Sequence, residues 1–292
     1  MPKRHSPRGR HRYWLTLAIA LGLTVSGCGQ QYVVLHPKGP VATSELNLLI
    51  LASVAMALVI IPVWMLFAYT LVRFRDNPRH EGVFVPKWQS SRLLEILLFV
   101  VPLIIVAVIA VPTVQKTYAL DRLPPKKDPV VINVTSLDWK WLFQYPGQHI
   151  ATVNYIEIPA GKPVLFELTA DSPMNTFWIP QLGGMEYTMP GEVLPLWLEA
   201  NKPGVYMGRS GQFSGTGFVH MVFSVKAVSS AAFNSWVQQV KTTAPGMSLA
   251  TYHSIVKIGT MGHESFSSYP AGIFPTTTHG FTLTGSSPMK MP

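Results

Sequence analysis

The sequence predicts a membrane-anchored α+β protein: a two-helix transmembrane hairpin, then an extracytoplasmic β-sandwich, then short C-terminal helices. Three observations carry this expectation. Two apolar runs, 46–72 and 93–114, hold one charged residue between them, Glu95. From 130 to 228, short segments rich in Val, Ile, Phe, Trp and Tyr alternate with Pro/Gly turns. The chain of 292 residues is 48% hydrophobic and only 13% charged, too apolar for an ordinary soluble protein and too short of apolar runs for a polytopic transporter.

Taken in order, residues 1–27 read as a signal peptide. Lys3, Arg4, Arg8, Arg10 and Arg12 form a basic start, an apolar run from Trp14 to Val25 follows, and Val25-Ser26-Gly27-Cys28 closes it with small residues. That ending resembles a bacterial lipobox, in which Cys28 becomes the lipid-bearing first residue of a palmitate-type lipoprotein. Residues 28–120 form the membrane hairpin, with helices expected at 46–72 and 93–114. Each run is long enough for a hydrocarbon core of roughly 30 Å at about 1.5 Å per residue. Arg73, Arg75, Arg79, Lys87 and Arg92 outnumber Asp76 and Glu81 between them, so that loop is cytoplasmic and the C-terminal bulk lies outside.

A Pro/Lys-rich linker precedes the sandwich, assigned to 121–228, with strands expected at 130–135, 139–145, 152–158, 163–170, 193–199 and 221–228. Within 229–292, Phe233, Trp236, Val237 and Val240 fall at i, i+3, i+4 and i+7, the spacing of one helix face. A second helix is expected over 249–256. The tail from Gly259, rich in Gly, Ser, Thr and Pro, reads as loose or dependent on a partner.

One stretch, 171–221, organises the rest. It holds Met174-Asn175-Thr176-Phe177-Trp178-Ile179-Pro180 at its start and Ser210-Gly211-Gln212-Phe213-Ser214-Gly215-Thr216-Gly217-Phe218-Val219-His220-Met221 at its end. With the hairpin before it, this layout resembles subunit II of the haem-copper terminal oxidases, whose outer domain is a cupredoxin fold. In the cytochrome c oxidase branch that domain carries a binuclear CuA centre. The resemblance puts Asn175 where the first His ligand stands, Ser210 and Ser214 at the bridging cysteines, Gln212 at the backbone-ligating Glu, Phe218 at the second His and Met221 at the Met. A copper pair needs thiolates and imidazoles, and neutral serine hydroxyls are poor substitutes. Cys28 is the one cysteine in the chain. No metal is therefore expected here, and His220, expected beside Met221 on a strand with alternating faces, is expected to face solvent.

A copper-free subunit II, with the Lys38-Gly39-Pro40 region and the lipobox, is similar to the quinol oxidase branch (ubiquinol or menaquinol). The resemblance implies a proton-translocating terminal quinol oxidase of the respiratory chain in the bacterial cytoplasmic membrane, with the outer domain on the periplasmic side. It implies haems and CuB in subunit I, quinol as substrate of the complex, subunits I, III and IV and membrane lipid as partners, and no cytochrome c. No catalytic residue is expected in this chain. Glu95 in Arg92-Leu93-Leu94-Glu95-Ile96 resembles the family's second-helix carboxyl at the entrance of a proton pathway; an interfacial carboxyl reaching toward Arg92 is the plainer reading. Trp139 and Trp141 are expected to share one strand face and serve packing.

The formal net charge of +9 comes without a nucleic-acid motif, and no nucleic-acid partner is expected. No Ser-His-Asp set, phosphate loop or His-Glu-x-x-His helix appears. Two other functions remain: an outer-face lipoprotein with a binding or sensory sandwich, which would exist stably alone, and a CuA subunit of cytochrome c oxidase, against which the cysteine count stands.

Overall fold

The computed structural model describes residues 32–74, 91–120, 128–171 and 173–275. The signal segment, Cys28, most of the basic loop and the last residues of the tail lie outside them. Helix α1, Pro40–Arg73, opens with Pro at its first turn after Gly39, where the missing N–H is no loss. Helix α2, Arg92–Leu120, carries Pro102 and Pro112 within it. Both exceed the apolar runs because the helical backbone continues into the flanking polar residues. Trp64 and Phe99 are 65% and 77% exposed, typical of an apolar surface that lipid or another protein covers.

The sandwich comprises β1 (Val130–Leu137), β2 (Lys140–Tyr145), β3 (Ile150–Val153), β4 (Tyr155–Pro159), β5 (Pro163–Ala170), β6 (Asn175–Trp178), β7 (Met185–Thr188), β8 (Leu194–Glu199), β9 (Gly204–Ser210), β10 (Val222–Val228) and β11 (Glu264–Phe266). One sheet runs β11-β3-β2-β1-β5-β8 and the other β4-β10-β9-β6-β7. The pairs β1–β5 and β4–β10 are parallel; the other pairs are antiparallel. Ile132, Val134, Trp141, Phe143, Phe166, Phe177 and Phe223 fill the space between the sheets. Phe177 stacks on Phe223 with centroids 5.0 Å apart, a geometry that adds to area burial.

Three departures from expectation have local causes. The segment 152–158 is two strands, because Asn154 turns the chain at φ 57, a conformation asparagine tolerates better than most residues. Its side chain accepts from Trp141 N and donates to the Met261 carbonyl, so β3 joins one sheet and β4 the other. The strands β7 and β9 escaped detection because Met185, Tyr187, Val205 and Met207 point outward, which hides the apolar–polar alternation. The tail beyond Gly259 is not wholly loose: β11 pairs with β3, and Phe266 is buried with Leu137, Leu142, Val153, Met247 and Ile255.

The C-terminal helices form where the periodicity places them. Helix α3, Ser230–Thr243, starts with the Ser229 side chain accepting from Ala232 N and buries Phe233, Val237 and Val240. Helix α4, Leu249–Val256, is capped likewise by Ser248.

The outer ends of the membrane helices are fixed to the sandwich. Lys38 N donates to the Gln181 carbonyl at 2.7 Å, Ala42 N to Leu182 O at 3.1 Å and Asn201 N to Lys38 O at 2.8 Å. Gly184 N donates to a Glu45 carboxylate oxygen, and Trp197 Nε1 to Leu120 O. A Cβ on Gly39 would lie 2.2 Å from the Glu199 carbonyl oxygen, so only glycine allows this approach.

Candidate functional site

Strand β6 begins at Asn175 and β9 ends at Ser210, and the two pair through Phe177 and Ser210. The chain then loops over residues 211–217, makes a short helical turn at Phe218–His220 and enters β10 after Met221. All six positions expected from the resemblance are joined by hydrogen bonds along this path, Phe218 through its carbonyl, which accepts from Met221 N at 3.0 Å. Asn175 Nδ2 donates to Ser136 Oγ at 2.9 Å and to Pro173 O at 3.2 Å. The Ser210 hydroxyl shares its proton between Asn175 Oδ1, at 3.1 Å, and the Gln212 carbonyl, at 3.2 Å, while Gln212 N donates back to it. Ser214 Oγ donates to the Met221 sulfur at 3.5 Å, and Ser210 N donates to Met221 O at 3.0 Å. The sixth, Phe218, is half-buried with its ring 5.7 Å from that of exposed Phe213.

Asn175, Ser210 and Met221 are 1%, 2% and 1% exposed. Asn175 and Ser210 are buried and their polar side-chain atoms are hydrogen-bonded, as buried polar groups require, while Gln212, Ser214 and Phe218 are half-buried. Its donors are neutral hydroxyls and an amide, with one thioether, which do not fit a copper pair bridged by soft anionic ligands. Among the described residues no three His, Cys, Asp or Glu side chains come together. His220 is exposed while Met221 is buried, so they face opposite ways, although in a helical turn rather than on a strand.

Sequence reasoning missed three participants. Ser136, on β1, takes the Asn175 amide proton; nothing in its local pattern announces that. Thr176 Oγ1 accepts from Gly211 N at 2.7 Å and fixes the start of the loop. Trp139 is the third, and its expected placement is corrected. The pairing Leu137↔Lys140 leaves Asp138-Trp139 as a tight turn, with Trp139 at φ 63, so it does not share a face with Trp141. Trp141 is fully buried in the core. The Trp139 indole instead lies across the loop, with Nε1 donating to Ser214 O at 3.1 Å. A Cβ on Gly217 would come within 2.1 Å of that ring.

Lys140, beside this turn, is 3% exposed. Its Nζ donates to the carbonyls of Lys257 and Gly259 at 2.7 Å and of Asp138 at 3.3 Å. Burial pushes its ammonium below the ordinary lysine value, and the Asp138 carboxylate partly restores it. The cage ties the Trp139 turn to the C-terminal extension. Glu95 sits apart, exposed in the first turn of α2.

A hairpin-anchored sandwich whose ligand positions are closed by hydrogen bonds defines a class, a subunit II of the cytochrome oxidase type without its copper donors. Residues 144–228 match the family described as cytochrome c oxidase subunit II, periplasmic domain. Over 256 residues the chain is 45% identical to quinol oxidase subunit 2 of Bacillus cereus, covering 87% of this chain and 88% of that one. It is 40% identical over 247 residues to cytochrome bo(3) ubiquinol oxidase subunit 2 of Pseudomonas aeruginosa (84% and 73% covered), and 38% identical over 266 residues to ubiquinol oxidase subunit 2 of Acetobacter aceti (88% and 85%). The chain belongs to the quinol oxidase subunit 2 family.

Proposed function

We propose that this chain serves as subunit II of a proton-translocating complex that oxidises membrane quinol and reduces oxygen to water. The observation that carries the reading is the closed network Ser136–Asn175–Ser210–Gln212 at the positions where a copper-bearing relative needs ligands. A domain so filled offers no acceptor for electrons from cytochrome c, so electrons enter the complex from quinol. The haems and CuB belong to subunit I, with subunits III and IV completing the assembly. This chain binds subunit I through α1 and α2 and covers it outside with the sandwich. Residues 1–27 direct export, Cys28 carries a lipid anchor on the outer face, and Glu95 contributes to proton entry from the cytoplasmic side.

Purification through this chain in mild detergent, followed by haem spectra and parallel assays with quinol and reduced cytochrome c, tests the reading. Co-purified haem and oxygen consumption with quinol alone are expected. Turnover of cytochrome c but not quinol overturns it, as does isolation of the chain without any haem-bearing subunit.

A further inference from the structure

We propose that the outward face of the five-stranded sheet, with the carboxylates of Glu45 and Glu186 at its membrane end, is the surface on which the haem-bearing subunit seats. The inference rests on the quinol oxidase reading above and adds which face of the sandwich is covered and what the covering surface carries. A sheet face turned to water ordinarily places polar residues between its buried ones. Here Val205 and Met207 on β9, Val222 on β10, and Met185 and Tyr187 on β7 point outward and are exposed. They share one surface. Val222 pairs in register with Arg209, Arg209 with Trp178, and Trp178 with Met185; Val205, Met207 and Tyr187 follow at even spacing on the same strands. The loop of the copper-free cluster prolongs this surface. A Cβ on Gly211 would lie 3.4 Å from the Met185 sulfur, and Phe213, two residues on, is exposed. Contiguous apolar surface of this kind marks an interaction site.

The other sheet shows how the chain covers outward apolar residues by itself. Leu142 and Val153, which alternate with core residues, are buried there with Met247, Ile255 and Phe266 of the C-terminal extension. Among the described residues nothing does this for the five-stranded sheet. Two observations say what does. The first is continuity. Met185 and Glu186 border a cavity of about 230 Å³ together with Glu45 of α1 and Thr117 and Leu120 of α2. The face therefore runs on into the outer ends of two helices long and apolar enough to cross a membrane, and a polytopic partner packed on those helices continues onto the sheet. The second is charge. Glu45 accepts from Gly184 N and Glu186 from Tyr187 N, both at 2.8 Å and each through one oxygen. The second oxygen of each carboxylate is left for a donor from outside. A lysine or arginine at the partner's outer membrane edge fits there, as a charge-assisted hydrogen bond, with apolar side chains above it against Tyr187 and Met207 and an acceptor opposite Arg209.

The test uses the full chain in native membranes. Photoreactive benzoylphenylalanine is placed in turn at Tyr187, at Met207 and, as a control, at exposed Ser254 on α4, which covers the other sheet. Cross-linked partners are read by peptide mass spectrometry. In parallel, the haem-bearing subunit retained by this chain during detergent washing is measured for Tyr187→Asp with Met207→Asp and for Glu45→Gln with Glu186→Gln, with the melting temperature of the outer domain as the check on folding. Cross-links from Tyr187 and Met207 to the haem-bearing subunit are expected, and none from Ser254. Retention should fall on the order of ten-fold in the aspartate pair, and should fall in the glutamine pair more at low than at high ionic strength. Cross-links to a second copy of this chain, to lipid or to nothing overturn the inference, as does unchanged retention in either pair. The two readings fail differently: an unaltered chain that brings down no haem overturns the quinol oxidase reading and this inference with it, whereas co-purified haem with cross-links elsewhere overturns this inference alone.

Discussion

At the scale of single residues, the cluster around Asn175 behaves as a small polar core. Asn175→Leu removes one of the two acceptors of the Ser210 hydroxyl and the donor to Ser136, leaving buried polar groups short of a partner at a cost of about 1–3 kcal/mol. A lowered melting temperature of the outer domain is expected, and Ser210→Ala should cost less because it removes the hydroxyl itself. Equal melting of Asn175→Leu and the unaltered protein would show that the network does not hold the loop. Gly217→Ala tests the Trp139 clamp. The added methyl collides with the indole, and overpacking of this kind costs about 1–3 kcal/mol, so a red-shifted Trp139 emission and a lower melting temperature are expected. That Asn175, Ser210 and Met221 come together was legible, because the segments that hold them flank one turn-rich stretch of the sequence. Ser136 and Trp139 were not, since one lies 39 residues from its partner and the other depends on a turn that reverses the chain.

At the scale of elements, two ties hold strands and helices in place, and each has a measurable signature. Tyr145 on β2 donates its hydroxyl proton to the Glu157 carbonyl on β4 and accepts from Glu157 N. It is fully buried, and desolvation raises its pKa well above the ordinary value near 10.0, with the Glu157 hydrogen bond opposing. Above about pH 10 the unfolded chain releases this proton while the folded chain keeps it. Stability from this group is therefore complete below that pH and falls as pH rises further. Tyr145→Phe should flatten the alkaline decline in chemical denaturation, and an equally steep decline would assign it to other groups. The second tie is the Lys140 cage. Lys140→Met leaves the carbonyls of Lys257 and Gly259 without their donor, and faster hydrogen exchange over 257–266 is expected while α3 stays protected. Helix α3 was legible from its apolar spacing. Strand β11 was not, because three residues in a Gly/Ser/Thr-rich tail carry no periodicity, and only Phe266 entering a cluster built by β2, β3 and α4 secures them.

At the scale of the whole molecule, the sandwich and the membrane hairpin meet through backbone hydrogen bonds around Lys38 and Ala42 and through the Trp197 indole on the Leu120 carbonyl. The two spans were legible because the bilayer sets a length that few other structures require; the junction was not, since it rests on the absent side chain of Gly39. The hairpin also places Glu95 at the end of α2 opposite that junction, one turn from the basic loop. An ionisable group inside a membrane span is costly unless it meets water or protein, and the proposed part of Glu95 in proton entry can be measured. Glu95→Ala is expected to slow quinol-driven oxygen consumption of the assembled oxidase while haem content and subunit composition stay unchanged, and Glu95→Asp should recover part of the rate. The bland interfacial role separates from proton entry by pH: a carboxyl that loads protons makes turnover of the alanine variant fall more steeply as pH rises, because bulk protons become scarcer. A carboxyl that only reaches toward Arg92 leaves the pH profile parallel to that of the unaltered complex, and that outcome removes Glu95 from the proton route.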